Sequence, residues 1–166
     1  MVAGLLALWT VVPVAPPAQT PDSAGRARVM QALQIVQDSL DRVRGAAYNF
    51  RTDLGGASGV VLYARTQRMY ASCVAAERAV GHLDSVLTAS YPGKTPPGPG
   101  LRREARALRA ALAECRREYD TTGVWPQRAD SVRAWAPYRL HRLDEAARRY
   151  TGATAPYRKP PSRPRP

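Results

Sequence analysis

Three stretches of the chain place apolar or small residues at alternating steps of four and three. The first runs Val29, Leu33, Val36, Leu40, Val43, Ala47, Phe50 and Leu54, and the second Leu62, Thr66, Met69, Cys73, Ala76, Val80, Leu83 and Leu87. The third runs Leu101, Ala105, Leu108, Leu112, Cys115 and Tyr119. This spacing nearly matches the turn of an α-helix, so each set lines one stripe, and the stripe must be buried against partner helices. An all-α fold follows. With 166 residues the chain has room for one domain with a real core and too little for two comfortable ones.

Helix-breaking chemistry separates the stripes. Gly55, Gly56, Ala57, Ser58 and Gly59 follow the first, offering the backbone freedom of a tight reversal. A Gly-rich loop can also cradle phosphate, but that use wants a strand before it and Lys-Ser/Thr after it, and neither is present. Tyr91 to Gly100, YPGKTPPGPG, separates the second stripe from the third, and no helix continues through it. Folding back about Ser58 sets Leu54 against Leu62, Ala47 against Met69 and Leu33 against Leu83. Folding back about Lys94 sets Leu87 against Leu101, Val80 against Leu108 and Cys73 against Cys115.

Any two opposed heptads give some such register. The informative feature is that the register centred on the loop places cysteine opposite cysteine, and these are the chain's only two. A disulfide needs Cα atoms about 5.5–6 Å apart, so small neighbours such as Ala76 and Ala111 must admit the approach. The alternative is two unbridged core cysteines, which behave as small apolar residues. The spacing is not CxxC, so a catalytic redox pair is not indicated.

Pro21, Asp22 and Ser23 can cap a first helix reaching about residue 53. The second is expected over 58–90, the third over 100–120 and a fourth over 126–150. The stripe of the fourth is Ala129, Val132, Ala136, Leu140, Leu143, Ala147 and Tyr150. Two successive steps of four straddle Pro137, whose missing N–H and bulky ring predict a kink or a split there. The expected architecture is an antiparallel up-down-up-down four-helix bundle over 19–150. Residues 151–166, rich in Pro and Arg and without apolar period, are expected to form a disordered tail. Within it Arg158, Pro161 and Pro164 match an RxxPxxP ligand of SH3-like grooves, a pattern frequent by chance in such tails.

The first twenty residues, MVAGLLALWTVVPVAPPAQT, form an uncharged apolar run closed by small residues and prolines. That is the pattern of a secretory signal, with cleavage expected after Ala18, although no Lys or Arg precedes the apolar core. A bilayer span needs roughly 20 apolar residues, and Thr10 and Pro13 interrupt this run. No cysteine lies near the expected cleavage site to carry a lipid. Residues 1–18 thus read as a signal peptide and the protein as periplasmic or secreted, a compartment in which a disulfide persists.

Lys and Arg number 25 against 13 Asp and Glu, and only Lys94 and Lys159 are lysines. A GC-rich coding sequence, whose codons favour Arg, Ala, Gly and Pro, explains that bias without any functional demand. Basicity nevertheless rises toward the C-terminus. Arg102, Arg103, Arg106, Arg109, Arg116 and Arg117 crowd the third helix among Glu104, Glu114 and Glu118, and Arg158, Lys159, Arg163 and Arg165 follow in the tail. Much of this charge reads as a solvated face with pairs along the helix, such as Glu114 with Arg117. The surplus is expected to draw the protein to polyanions, which in an envelope are acidic lipids, lipopolysaccharide or wall polymers. A protein partner is the other option. Nucleic acid becomes the partner if the apolar start is not a signal, but Tyr119 and Tyr150, two of three candidate stacking rings beside Tyr138, fall on core stripes.

Catalytic chemistry is sparse. His82 and His141 are the only histidines, and neither ExxH, HExxH nor CxxCH occurs. His141 has Asp144 and Glu145 at helical spacing, which reads as a surface pair. No serine-centred nucleophile elbow is present, so no enzyme, metal site or cofactor is expected. One resemblance remains. Met30 on the first helix and His141 on the last are similar in placement to the axial pair of the periplasmic haem-binding bundles of the cytochrome b562 kind, and only those two residues and the architecture match. The resemblance implies haem held at one level of the bundle. The plainer reading is a peripheral Met and an exposed His, since neither lies on its stripe.

Overall fold

A computed structural model describes residues 23–92, 100–120 and 129–158, with side chains of 129–139 left aside. Among the described residues the fold is wholly helical: α1 (Ser23–Asp53), α2 (Gly59–Ser90), α3 (Leu101–Glu118), α4 (Ala129–Ala153) and the single turn α5 (Ala155–Arg158). The expected signal peptide at 1–18, the Lys94 loop centre and the basic residues Lys159, Arg163 and Arg165 lie outside the described residues.

The stripes become the core. Val29, Leu33, Val36, Leu40, Val43, Ala47 and Phe50 of α1 are buried, as are all eight stripe positions of α2 and all six of the third set. On α4 the same holds for Leu140, Leu143, Ala147 and Tyr150. Ala32, Ala46, Ala79 and Ala146 widen the buried faces, letting helix backbones approach each other. Thr66 is the one polar stripe residue, and its hydroxyl donates to Leu62 O at 2.7 Å within its own helix. That bond removes the cost of burying an unsatisfied hydroxyl.

Local chemistry sets the ends. Ser58, with extended backbone, caps α2 by accepting the Val61 N–H at 3.4 Å. Gly100 enters α3 at φ 112°, a left-handed conformation that a side chain would strain. Tyr91 N–H donates to Leu87 O and Tyr119 N–H to Cys115 O, closing the last turns of α2 and α3.

Cys73 of α2 and Cys115 of α3 are joined as a disulfide across 42 residues of chain, with Cα atoms 6.1 Å apart. Partly buried Ala111 lies beside the bridge, and Ala76 is fully buried. At one end of the bundle the rings of Phe50 and Tyr119 meet edge to face, centroids 5.2 Å apart. Near that end Arg65 of α2 holds Asp53 of α1 at 2.6 Å. α1 packs chiefly on α2, α2 on α3 and α3 on α4, while α1 and α4 meet sparsely.

Of the two outcomes expected at Pro137 the split does not occur: α4 continues through it as one helix. A proline removes one hydrogen bond, and the buried turns from Leu140 to Tyr150 help hold the remainder together. Nor does structure end at Tyr150. α4 runs on to Ala153, α5 follows, and Thr154 and Tyr157 are buried. Thr154 and Tyr157 fall four and seven residues after Tyr150, so they continue the α4 stripe onto the core across the break at Thr154.

Candidate anion-binding surface

The α3 arginines do not form one face. Arg102, Arg109 and Arg116 fall at two steps of seven along a flank turned toward α2. Arg116 pairs with Glu77 at 3.3 Å, and Arg109 Cζ lies 4.0 Å from the point a Cβ on Gly81 would occupy. Arg103, Arg106 and Arg117 fall together on the adjoining exposed side, Arg103 against Glu104 at 2.9 Å.

The acids of α3 mostly look across to α4. Glu114 accepts Arg142 at 3.2 Å and Glu104 accepts Arg149 at 3.5 Å. The expected pairing of Glu114 with Arg117 along α3 is thus replaced by one between helices, because Glu114 lies toward the α4 side while Arg117 points to solvent. Arg106, Arg109 and Arg117 are exposed and form no ion pair among the described residues. Arg102 differs: its Nε and Nη2 are buried and meet no hydrogen-bond acceptor among the described residues. It lies by Tyr157 and Tyr91, with Arg26 near Tyr91, so the end of the bundle opposite Phe50 is donor-rich.

Three tyrosines have displaced phenol pKa values. Burial raises Tyr119 and Tyr157 well above the ordinary 10.0; Arg51 opposes it at Tyr119 and Arg102 at Tyr157. Tyr91 is raised more modestly by burial, against the pull of Arg26. All three are neutral donors at ordinary pH.

A second basic feature escaped the sequence. Arg44, Ala47, Tyr48 and Arg51 of α1 face Asp144 and Arg148 of α4 across an open groove of about 480 Å³. Asp144 bonds Arg51 at 2.7 Å, Arg44 pairs with Asp41 at 2.9 Å, and Tyr48 is 69% exposed. The spacing of Arg44, Tyr48 and Arg51 is visible in the sequence, but nothing there says which turn of α4 stands opposite.

The structure does not bring Met30 and His141 together. His141 is one turn from Asp144, which meets Arg51 near the end of α1, whereas Met30 lies 21 residues earlier on α1. At about 1.5 Å per residue that is roughly 30 Å. Both are exposed, so they do not form an axial pair; the error was to place the two helices at the wrong axial level. His82 is exposed as well. No cluster of three or more His, Cys, Asp or Glu able to hold a metal ion occurs among the described residues. No helix among them is long and apolar enough to cross a membrane.

Comparison with known protein families, with curated proteins and with solved structures gives no match to this chain.

Proposed function

We propose that this is an exported, non-enzymatic bundle of the cell envelope that binds anionic envelope polymers or lipid surfaces through the arginines of α3. Its helices run antiparallel, up-down-up-down, with a bend at Pro137. The directions are supported by contacts in which residues of rising number on one helix meet falling numbers on the next: Cys73 with Cys115 and Gly81 with Arg109, then Glu104 with Arg149 and Glu114 with Arg142. Export is supported by the apolar run of residues 2–14 and by the disulfide, a bond that persists in oxidising compartments.

The carrying observation is the division of charge on α3. Glu104 and Glu114 are committed to α4, while Arg106, Arg109 and Arg117 stay exposed and unneutralised among the described residues. Such an exposed surplus attracts any dense array of negative charge.

The test is cosedimentation with phosphatidylglycerol vesicles, phosphatidylcholine vesicles serving as the neutral control. Binding to the anionic vesicles is expected at about 50 mM salt and its loss at about 500 mM, where the screening length falls to roughly 4 Å. Each arginine near an anionic surface contributes about 1 kcal/mol, so Arg106→Gln, Arg109→Gln and Arg117→Gln together lower partition about 100-fold. Retention that ignores salt and survives the triple substitution rejects the mechanism.

A further inference from the structure

We infer that the groove between α1 and α4 is a discrete site for an acidic saccharide unit, a sugar ring carrying a carboxylate or phosphate. It is separate from the α3 flank and independent of it.

The groove has the size of a ligand site and an unbalanced charge. Its volume of about 480 Å³ lies within the usual range for small-molecule pockets. Three guanidinium groups line it and one carboxylate. That carboxylate, Asp144, is held by Arg51. Arg148 forms no ion pair among the described residues, since its neighbour Glu145 is taken by Arg149 at 2.6 Å. Arg44 is held only by Asp41, which is 58% exposed and lies outside the groove lining. Exposed pairs of this kind are weak and yield readily to a better-placed anion. Gathering like charges around a depression is unfavourable until an anion enters between them.

Donor inventory narrows the ligand. Each arginine brings five N–H donors and no acceptor. The facing backbone is helical and has its carbonyls engaged, so apart from Asp144 and the Tyr48 hydroxyl the lining offers donors alone. A nucleobase edge carries N–H groups that want acceptors and fits such a lining poorly. Carboxylate or phosphate oxygens with sugar hydroxyls fit it well, and guanidinium forks suit them in bidentate geometry. Tyr48 supplies the remaining element. Its ring stands at the groove mouth, four residues after Arg44 and three before Arg51, presenting an apolar face over which a sugar ring lies with its charged group reaching Arg44 and Arg148.

The experiment is NMR titration of the full chain with glucuronate, glucose 6-phosphate, inorganic phosphate, glucose and uridine monophosphate. Glucuronate and glucose 6-phosphate are expected to move the amide signals of residues 44–51 and 144–148, and glucose to leave them in place. Arg148→Gln and, separately, Arg44→Gln weaken the sugar acids about tenfold or more, as loss of a charged hydrogen bond does. Tyr48→Ala reduces glucose 6-phosphate to the affinity of inorganic phosphate, while the paired substitution Arg106→Gln and Arg109→Gln changes nothing. Shifts confined to α3, loss of binding in the α3 variant, uridine monophosphate binding tighter than the sugar acids, or no shift with any probe overturns the assignment. Vesicle binding that persists in the Arg148→Gln variant separates this site from the membrane-facing proposal above.

Discussion

Tyr119 ends the third stripe and meets Phe50, which is fully buried near the end of α1, so one aromatic contact closes that end of the core. Its phenol is held protonated by burial, with Glu118 acting in the same direction and Arg51 against it; Tyr157 is raised by burial and by Tyr91. The consequence for stability has a definite sign. Below the ordinary pKa of 10.0 the folded and unfolded chains carry the same phenol protons, and the full stability is present. Above it the unfolded chain releases protons that the folded chain keeps, so each step up in pH favours unfolding. Denaturant midpoints are therefore expected to show no tyrosine-linked loss from pH 7 to 9 and to fall steeply beyond about pH 10. Tyr119→Phe removes one of the responsible protons and makes the alkaline fall shallower. An equally steep fall in that variant excludes Tyr119 as a source. At this scale the sequence was most readable: every stripe residue of the first three sets except partly buried Leu54 is buried.

Between elements, what could be read in advance was a matter of angle about the helix axis, not position along it. A heptad fixes which side of α2 carries Cys73 and which side of α3 carries Cys115, and the loop centre fixed their register, so the bond was open to anticipation. The starts of α2 near Ser58 and of α3 near Gly100 were legible from the turn chemistry before them. The level of α4 was not, because residues 121–128 give no repeat that counts turns, and Met30 and His141 were matched across an offset the sequence does not encode. The α1–α4 groove was missed on the same ground, whereas Tyr157, one heptad after Tyr150, was in phase and was passed over because the Pro- and Arg-rich stretch around it read as a tail. The disulfide carries a prediction of its own. Closing a loop across 42 residues restrains the unfolded chain, by about 3–4 kcal/mol in the chain-entropy account. Cys73→Ser with Cys115→Ser, or thorough reduction, is expected to lower the unfolding free energy by about that much, read from denaturant midpoints. The intact chain should also run faster on a non-reducing gel than on a reducing one. Equal mobility and equal stability with and without reductant mean that the bond does not form in solution.

Across the whole molecule the packing is graded. α1 and α2 share the longest buried seam, and α2 and α3 add the disulfide, whereas α4 rests chiefly on α3 and touches α1 and α2 in few places. Among the described residues, ion pairs at or near the surface tie α4 to its neighbours beyond its apolar stripe: Arg142 with Glu114, Arg149 with Glu104, and Arg51 with Asp144. Pairs as exposed as these contribute little each, at most about 1 kcal/mol. An element held by one apolar face and weak pairs opens before one buried on several sides, since local opening draws on the contacts broken and not on the stability of the whole. The groove facing α1 follows from the same grading: a tight α1–α4 seam would leave no space between Tyr48 and Arg148. Native-state hydrogen exchange is expected to find the amides of residues 140–153 exchanging about tenfold faster or more than those at the centres of α1 and α2, the equivalent of about 1.4 kcal/mol. Glu104→Gln with Glu114→Gln should widen that gap and leave α1 and α2 unchanged, because neither glutamate pairs with them. Uniform protection across all four helices shows instead that α4 is bound into the core as firmly as the rest.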